Sequence, residues 1–174
     1  MNIPLFKQKQ QNTCGITALR MALAYWGENI SKDKLTKLIS KVGRDGIRTI
    51  KLSEAAKKLG FNTECLSYNK MLASGKAKIK KPDTDDILKY LKKKIPVILA
   101  VRSALLYNEK LTKAGHFIVI RAYRDGVFHY NDPADGKNHR IGEEALRFAW
   151  FSNVLDSSAY FLAIWPGKLR EIKT

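Results

Sequence analysis

Cysteine is scarce in this chain: the two present, Cys14 and Cys65, stand far apart and fit no metal-binding spacing such as C-x-x-C. That argues against a disulfide framework or a cysteine-held zinc site, and reduced thiols in a cytoplasmic protein are expected. Histidine is nearly as rare, so chemistry that needs an imidazole has His116, His129 and His139 to draw on. Long apolar runs are missing as well. The opening Met1-Asn2-Ile3-Pro4-Leu5-Phe6-Lys7 lacks the continuous apolar stretch of a secretory signal, and no segment is long enough to cross a bilayer. Repeats and low-complexity segments are absent, and no cofactor is expected.

Acidic residues number 16 against 32 basic ones, which leaves a net charge of +16. Such an excess suits a surface that attracts nucleic acid, an anionic membrane or an acidic polypeptide. The lysines, however, are spread over Lys32 to Lys58 and Lys70 to Lys113 with no interleaved aromatics on which bases would stack. A lysine-rich solvated surface is the preferred reading, and nucleic acid is not an expected partner. With 174 residues and 45% hydrophobic content, the chain can bury one sizeable core. One domain over residues 1–174, acting as a monomer, is expected.

Helical periodicity dominates the first third. Ile16, Leu19, Leu23 and Trp26, widened by Met21, Ala22 and Tyr25, predict a largely buried helix that stops at Gly27. Ser31 caps a second helix carrying Leu35, Leu38 and Ile39. A third, with Leu52, Ala55, Ala56 and Leu59, follows the turn at Gly43-Arg44-Asp45-Gly46 and ends at Gly60. Phe61 to Ser67 reads as a strand, Asn69 to Pro82 as a mobile connection, and Asp83 or Thr84 as the cap of a helix reaching Lys94. The period then changes. Pro96 to Val101, His116 to Tyr123, Val127 to Asp132 and Ala159 to Trp165 read as strands, with a hairpin at Arg124-Asp125-Gly126 and a helix from Gly142 to Phe151. Helices first and an antiparallel sheet second is an α+β arrangement.

The densest chemistry lies at the start of the first helix. Gln8-Lys9-Gln10-Gln11-Asn12-Thr13-Cys14-Gly15 sets a thiol where a helix N-terminus, with its unsatisfied N–H groups and partial positive charge, stabilises a thiolate. An upstream glutamine amide, with the backbone N–H of the cysteine, can donate to the oxyanion formed when a thiolate attacks a carbonyl. Gln8, Gln10 and Gln11 all compete for that part. A thiolate also needs a base, and the base an acceptor that fixes its tautomer. His116, at the mouth of a strand, is the candidate base, whereas His129 and His139 read as ordinary residues. The hairpin brings Asn131, Asp132 and Asp135 towards His116. A tight turn at Asp125-Gly126 would set Asp135 opposite it, a bulge would favour Asp132, and Pro133 ends the strand in favour of Asp132. On local grounds Asn131-Asp132-Pro133 serves equally well as a plain turn initiator.

Cysteine, histidine and aspartate in this order resemble the papain-like cysteine peptidases. The closer likeness is to the C39 family, best known as cytosolic N-terminal domains of ATP-driven bacteriocin and peptide exporters. The family pattern sets a glutamine five residues before Asp-Cys-Gly and a long helix ending in Tyr-Tyr-Gly; this chain has Gln8, Thr13-Cys14-Gly15 and Tyr25-Trp26-Gly27. Its later landmarks correspond to Gly43 to Gly46, Ala55-Ala56, Gly60-Phe61, Gly115-His116-Phe117 and Asp132-Pro133. The likeness covers most of residues 5–166. It implies a papain-like fold, with the nucleophile helix packed against a C-terminal antiparallel sheet. It further implies Cys14 as nucleophile, His116 as general base and acid, Asp132 as orienting carboxylate and Gln8, chosen over Gln10 and Gln11, as oxyanion donor. Cys65 matches no functional position.

The expected activity is hydrolysis of a peptide bond in a peptide or protein substrate, including a precursor or leader, with an exporter or membrane-associated partner as the implied context. Two departures limit that transfer. Thr13 replaces the usual acidic residue, and no membrane-spanning or nucleotide-binding region follows, so specificity for a Gly-Gly leader is not carried over. The same three residues also serve acyl transfer of the amidase or transglutaminase kind, and a peptide- or anion-binding domain without catalysis is the reading from outside enzymology.

Overall fold

The computed structural model describes residues 1–39, 42–43, 46–110 and 115–167. An extended arm, residues 1–10, leads through one 3-10 turn at Gln11–Thr13 into α1 (Cys14–Tyr25), followed by α2 (Lys32–Ile39) and α3 (Thr49–Lys58). Next come β1 (Phe61–Ser67), α4 (Lys70–Ala73), β2 (Lys78–Ile79) and α5 (Thr84–Lys92). The chain closes with β3 (Val97–Arg102), α6 (Ser103–Tyr107), β4 (Gly115–Arg124), β5 (Val127–Asp132), β6 (Lys137–Gly142), α7 (Glu143–Phe151) and β7 (Phe161–Pro166). The seven strands form one sheet in the order β2-β1-β7-β3-β4-β5-β6. It is antiparallel except where β2 runs parallel to β1.

Alternation along the strands divides the core in two. Ile98, Ala100, Phe117, Val119, Leu162 and Ile164 pack with the apolar sides of α1, α2 and α3. Val97, Leu99, Ile118, Ile120, Phe161 and Ala163 pack with Ile87, Tyr90, Leu146 and Trp150 of α5 and α7. The sheet is therefore covered by helices on both faces, which explains its near-continuous apolar central strands. Nine of the twelve α1 residues are buried, as the broad stripe predicts, and the Trp26 indole N–H donates to the Ile164 carbonyl at 2.9 Å. Ser31 caps α2 through the Lys34 N–H at 3.2 Å, and Asp83 caps α5 through the Asp85 N–H at 3.0 Å.

Two short elements depart from the sequence expectation, and two more stand where none was expected. The stretch Asn69 to Pro82 is no plain connection: the Asn69 side chain accepts the Leu72 N–H at 3.0 Å and starts α4, and Lys78–Ile79 pairs with Leu66 and Ser67 as β2. Residues 103–110 hold α6, which ends at Asn108 in the left-handed region. The polar run Lys137–Gly142 is a full strand along β5. None of these has enough residues or apolar alternation to carry a period; each exists through a cap or a pairing partner supplied elsewhere. Arg44, Asp45 and residues 111–114 lie outside the described residues.

Gly15 marks the closest approach of α1 to the sheet. A Cβ there would lie 3.1 Å from the Phe117 ring and 3.3 Å from the Leu52 side chain. Phe117 directly follows His116, so the missing side chain lets the thiol-bearing end of α1 settle on β4. Gly15→Ala is expected to destabilise the fold by about 1–3 kcal/mol, the usual cost of overpacking. Thermal melting should show it as a loss of about 2–4 °C per kcal/mol; an unchanged midpoint would mean that the ring yields freely.

Candidate functional site

Cys14 is the first residue of α1, and its side chain is buried at 6% exposure. The turn before it is fixed by Thr13, whose N–H and hydroxyl both donate to the Gln10 carbonyl, at 3.1 and 2.8 Å. His116, the second residue of β4, lies opposite Val101 and is 7% exposed. Its Nε2 is 2.8 Å from Asp132 Oδ1, and the Cys14 thiol is close enough to the ring to help raise its pKa. Thiol, imidazole and carboxylate thus stand in series.

The register of the β4–β5 hairpin makes this possible. Asp125 and Gly126 both have positive φ, the tight two-residue turn that matches strand twist. From that turn Arg124 pairs with Val127 and Ala122 with His129, but beyond a shift between Ile120 and Ala122 the pairs become Ile120 with Tyr130 and Val119 with Asn131. Without the shift Asp132 would lie level with Val119, on the face away from His116. One extra residue at Arg121 sets it level with Ile118 instead, two residues from His116 on the same face. Tight turn and bulge both occur, and they bring Asp132 rather than Asp135 to His116. Asp135 pairs with His139 at 2.9 Å.

Asp132 also starts the turn that the sequence suggested. Its Oδ1 accepts the Ala134 N–H at 2.6 Å, and its carbonyl accepts the Gly136 N–H at 2.8 Å. The second carboxylate oxygen accepts the Tyr107 hydroxyl. Burial opposes the negative charge of Asp132, yet the bonds from His116, Tyr107 and Ala134 outweigh it and hold the carboxyl below its usual range. Burial likewise opposes a charged His116, but Asp132 and Cys14 more than compensate and raise its pKa to about 9.

Gln8 reaches this region through its backbone. Its N–H donates to the Pro133 carbonyl at 2.7 Å, and its side-chain Nε2 lies 3.4 Å from the Gln11 carbonyl, while Oε1 is buried without a partner. Gln10 instead accepts Lys32 Nζ at 3.1 Å on the surface. Cys65 lies in β1, and burial pushes its thiol up to about 12.

The sequence model of the Peptidase_C39 like family matches residues 1–154. The chain belongs to this family. None of the curated proteins matches it. Among solved structures, the peptidase domain of Streptococcus ComA, a bi-functional ABC transporter involved in quorum sensing, is 23% identical with a TM-score of 0.63, covering 94% of this chain and 97% of that one. A double-glycine-motif protease from an AMS/PCAT transporter, solved in complex with the leader peptide, is 20% identical at TM-score 0.63, covering 95% and 92%. A Bacillus anthracis protein assigned to the C39-like peptidases is 17% identical at TM-score 0.67, covering 96% of each chain. At these identities the likeness establishes the papain-like fold of C39 peptidase domains.

Two site neighbours of this C39-like chain escaped the sequence reading. Tyr107 lies on α6, and Tyr130 precedes Asp132 by two residues with its hydroxyl 3.4 Å from that of Tyr107. Strand alternation marks Tyr130 as sharing a face with Asp132, but nothing local points Tyr107 at it. Among the described residues no helix is long and apolar enough to cross a membrane, and no group of acidic, histidine or cysteine side chains is placed to hold a metal.

The His116 shift carries a stability signature. A folded pKa of about 9 against an unfolded value near 6.5 contributes stability that is complete below pH 6.5 and lost as the pH rises through 9. Asp132 has the opposite sign: its depressed pKa stabilises above the ordinary carboxylate range and is lost in acid. Denaturant titrations of wild type and His116→Gln should converge as the pH rises from 6.5 to 9; a constant gap would contradict the assigned shift.

Proposed function

We propose that this protein is a cysteine peptidase, and the observation that carries the reading is the buried His116, hydrogen-bonded to Asp132 and set beside Cys14 at the start of α1. At neutral pH His116 already holds the proton that Cys14 gives up, and the sulfur attacks the carbonyl carbon of the scissile bond as a thiolate. The oxyanion so formed is met by the Gln8 amide and the Cys14 N–H, which as a first-turn group has no acceptor in its own helix. Imidazolium then returns the proton to the departing amine, and a thioester remains. Water, deprotonated by His116, releases the acid and restores the thiol. Asp132 fixes the ring's orientation and balances its charge throughout. Metal and cofactor have no part in this scheme.

The substrate is a peptide or protein segment, and processing of a precursor or leader is the biological role that fits family membership. Tyr68, Lys81, Pro82, Phe151, Val154 and Leu155 line a cleft of about 340 Å³, and Asn153, next in sequence to Val154, approaches Gly115, the residue before His116. Leu155 and Tyr68 there are exposed apolar side chains of the kind that bind peptide side chains. An exporter partner and cytoplasmic action belong to this same reading.

Digestion of a peptide library followed by mass spectrometry should yield new termini with wild type and none with Cys14→Ala. Gln8→Ala is expected to lose roughly 100- to 1,000-fold in turnover with its fold intact, the cost of one oxyanion donor. Iodoacetamide should label Cys14 well before Cys65, whose thiol is held un-ionised by burial. Equal labelling of the two in the folded protein would remove the case for an activated Cys14.

A further inference from the structure

Residues 103–110 leave the sheet after Arg102, the residue paired with Gly115, and α6 turns back over the end of β5. Its last residue, Tyr107, donates its hydroxyl to Asp132 Oδ2. The other oxygen, Oδ1, is taken by His116 and the Ala134 N–H. Asp132 is 1% exposed, and among the described residues the donor to Oδ2 is the Tyr107 hydroxyl. A buried carboxylate oxygen without a donor costs about 1–3 kcal/mol or more, and a carboxylate held at one oxygen alone is free to rotate about its terminal bond.

The geometry points to Tyr107 as a positioning residue: its hydroxyl fixes the plane of the Asp132 carboxylate and thereby aims Oδ1 at His116 Nε2. This rests on the peptidase reading above and adds a member to the site. Tyr107 is itself held in place. Its hydroxyl lies 3.4 Å from that of Tyr130, its ring meets the His139 ring edge-on at 6.1 Å, and His139 stacks on Tyr130 at 5.3 Å. Burial and the Asp132 bond together raise its pKa, so the phenol keeps its proton and remains a donor throughout the range in which His116 titrates. The groups facing Asp132 are then His116 from β4, with Cys14 of α1 behind it, Tyr107 from α6 and Tyr130 from its own strand. Asp135 and His139 form a pair one layer further out.

Tyr107→Phe removes the donor and keeps the ring. Three readouts on the full chain test the role. Carbon-13 NMR of the Asp132 carboxyl should show it titrating at higher pH than in wild type, because a hydrogen bond to its charged form is gone. The Nε2 proton of His116 should shift or broaden in the NMR spectrum. Turnover of a peptide recovered from the library digest should fall roughly tenfold to a hundredfold in kcat, up to the scale of general acid–base assistance, with KM within about twofold. Tyr130→Phe, which keeps the Tyr107–Asp132 bond, serves as the control and should change all three far less.

Unchanged Asp132 titration and an unchanged His116 proton in Tyr107→Phe would overturn the inference. Equal effects of the two phenylalanine variants would overturn it too, since they would mark a general loosening of this aromatic group. If Tyr107→Phe does not fold, Tyr107→His and Tyr107→Leu replace it: recovery of kcat by the donor-bearing side chain alone supports the role, and equal loss refutes it. His116→Ala separates this test from the parent reading. Retained cleavage there would end the peptidase mechanism, while the carboxylate titration would still report on Tyr107 and Asp132.

Discussion

Everything at the site hangs on one backbone irregularity, the single-residue shift at Arg121 between β4 and β5. Strand side chains alternate with period two, so a slip of one residue exchanges the faces of every residue beyond it. Asp132 is thereby delivered to the His116 side, and Asn131 to the opposite side. There the Asn131 amide donates to the Ile3 carbonyl at 3.0 Å and ties down the N-terminal arm. The same arm carries Gln8, whose N–H meets Pro133 just past Asp132. A hairpin with the same turn and no bulge would separate all these groups.

The polar series Cys14, His116 and Asp132 is buried, with Tyr107 half-buried at its end, and burial opposes every charge in it. Isolated, neither the Asp132 carboxylate nor a charged His116 would survive there; each is offset by the other and by neutral donors at fixed positions. The surface works under different terms. Lysines supply most of the excess positive charge, and pairs such as Lys51 with Glu54 at 3.1 Å are exposed enough for solvent to screen them. The large net charge therefore says little about the site, whose ionisation is set by close hydrogen bonds.

Much of the fold was legible because its long elements carry their own period. The α1 stripe, the Ser31 and Asp83 caps, the Asp125-Gly126 turn and the apolar central strands follow from local residue order. Short polar elements did not show themselves. β6, α6 and β2 lack apolar alternation, and a partner strand or a returning loop defines them. The same division runs through the site. The cysteine at a helix start and the histidine at a strand mouth are local facts. The choice between Asp132 and Asp135 depended on a bulge that no residue type at Arg121 announces, and Tyr107 depended on where α6 travels.

The sequence by itself determined the family and the order of the chemically able residues, because Gln8, Cys14, His116 and Asp132 occupy recognisable local contexts. It also determined that α1 would be largely buried, while the close approach at Gly15 came only with the structure. The tertiary structure alone decided how that carboxylate reaches the imidazole, which oxygen of it faces the ring, and which phenol takes the other. Those outcomes are fixed by register and by chain crossings between segments far apart in sequence, where a displacement of one residue reverses a side chain's direction and no local propensity records the choice.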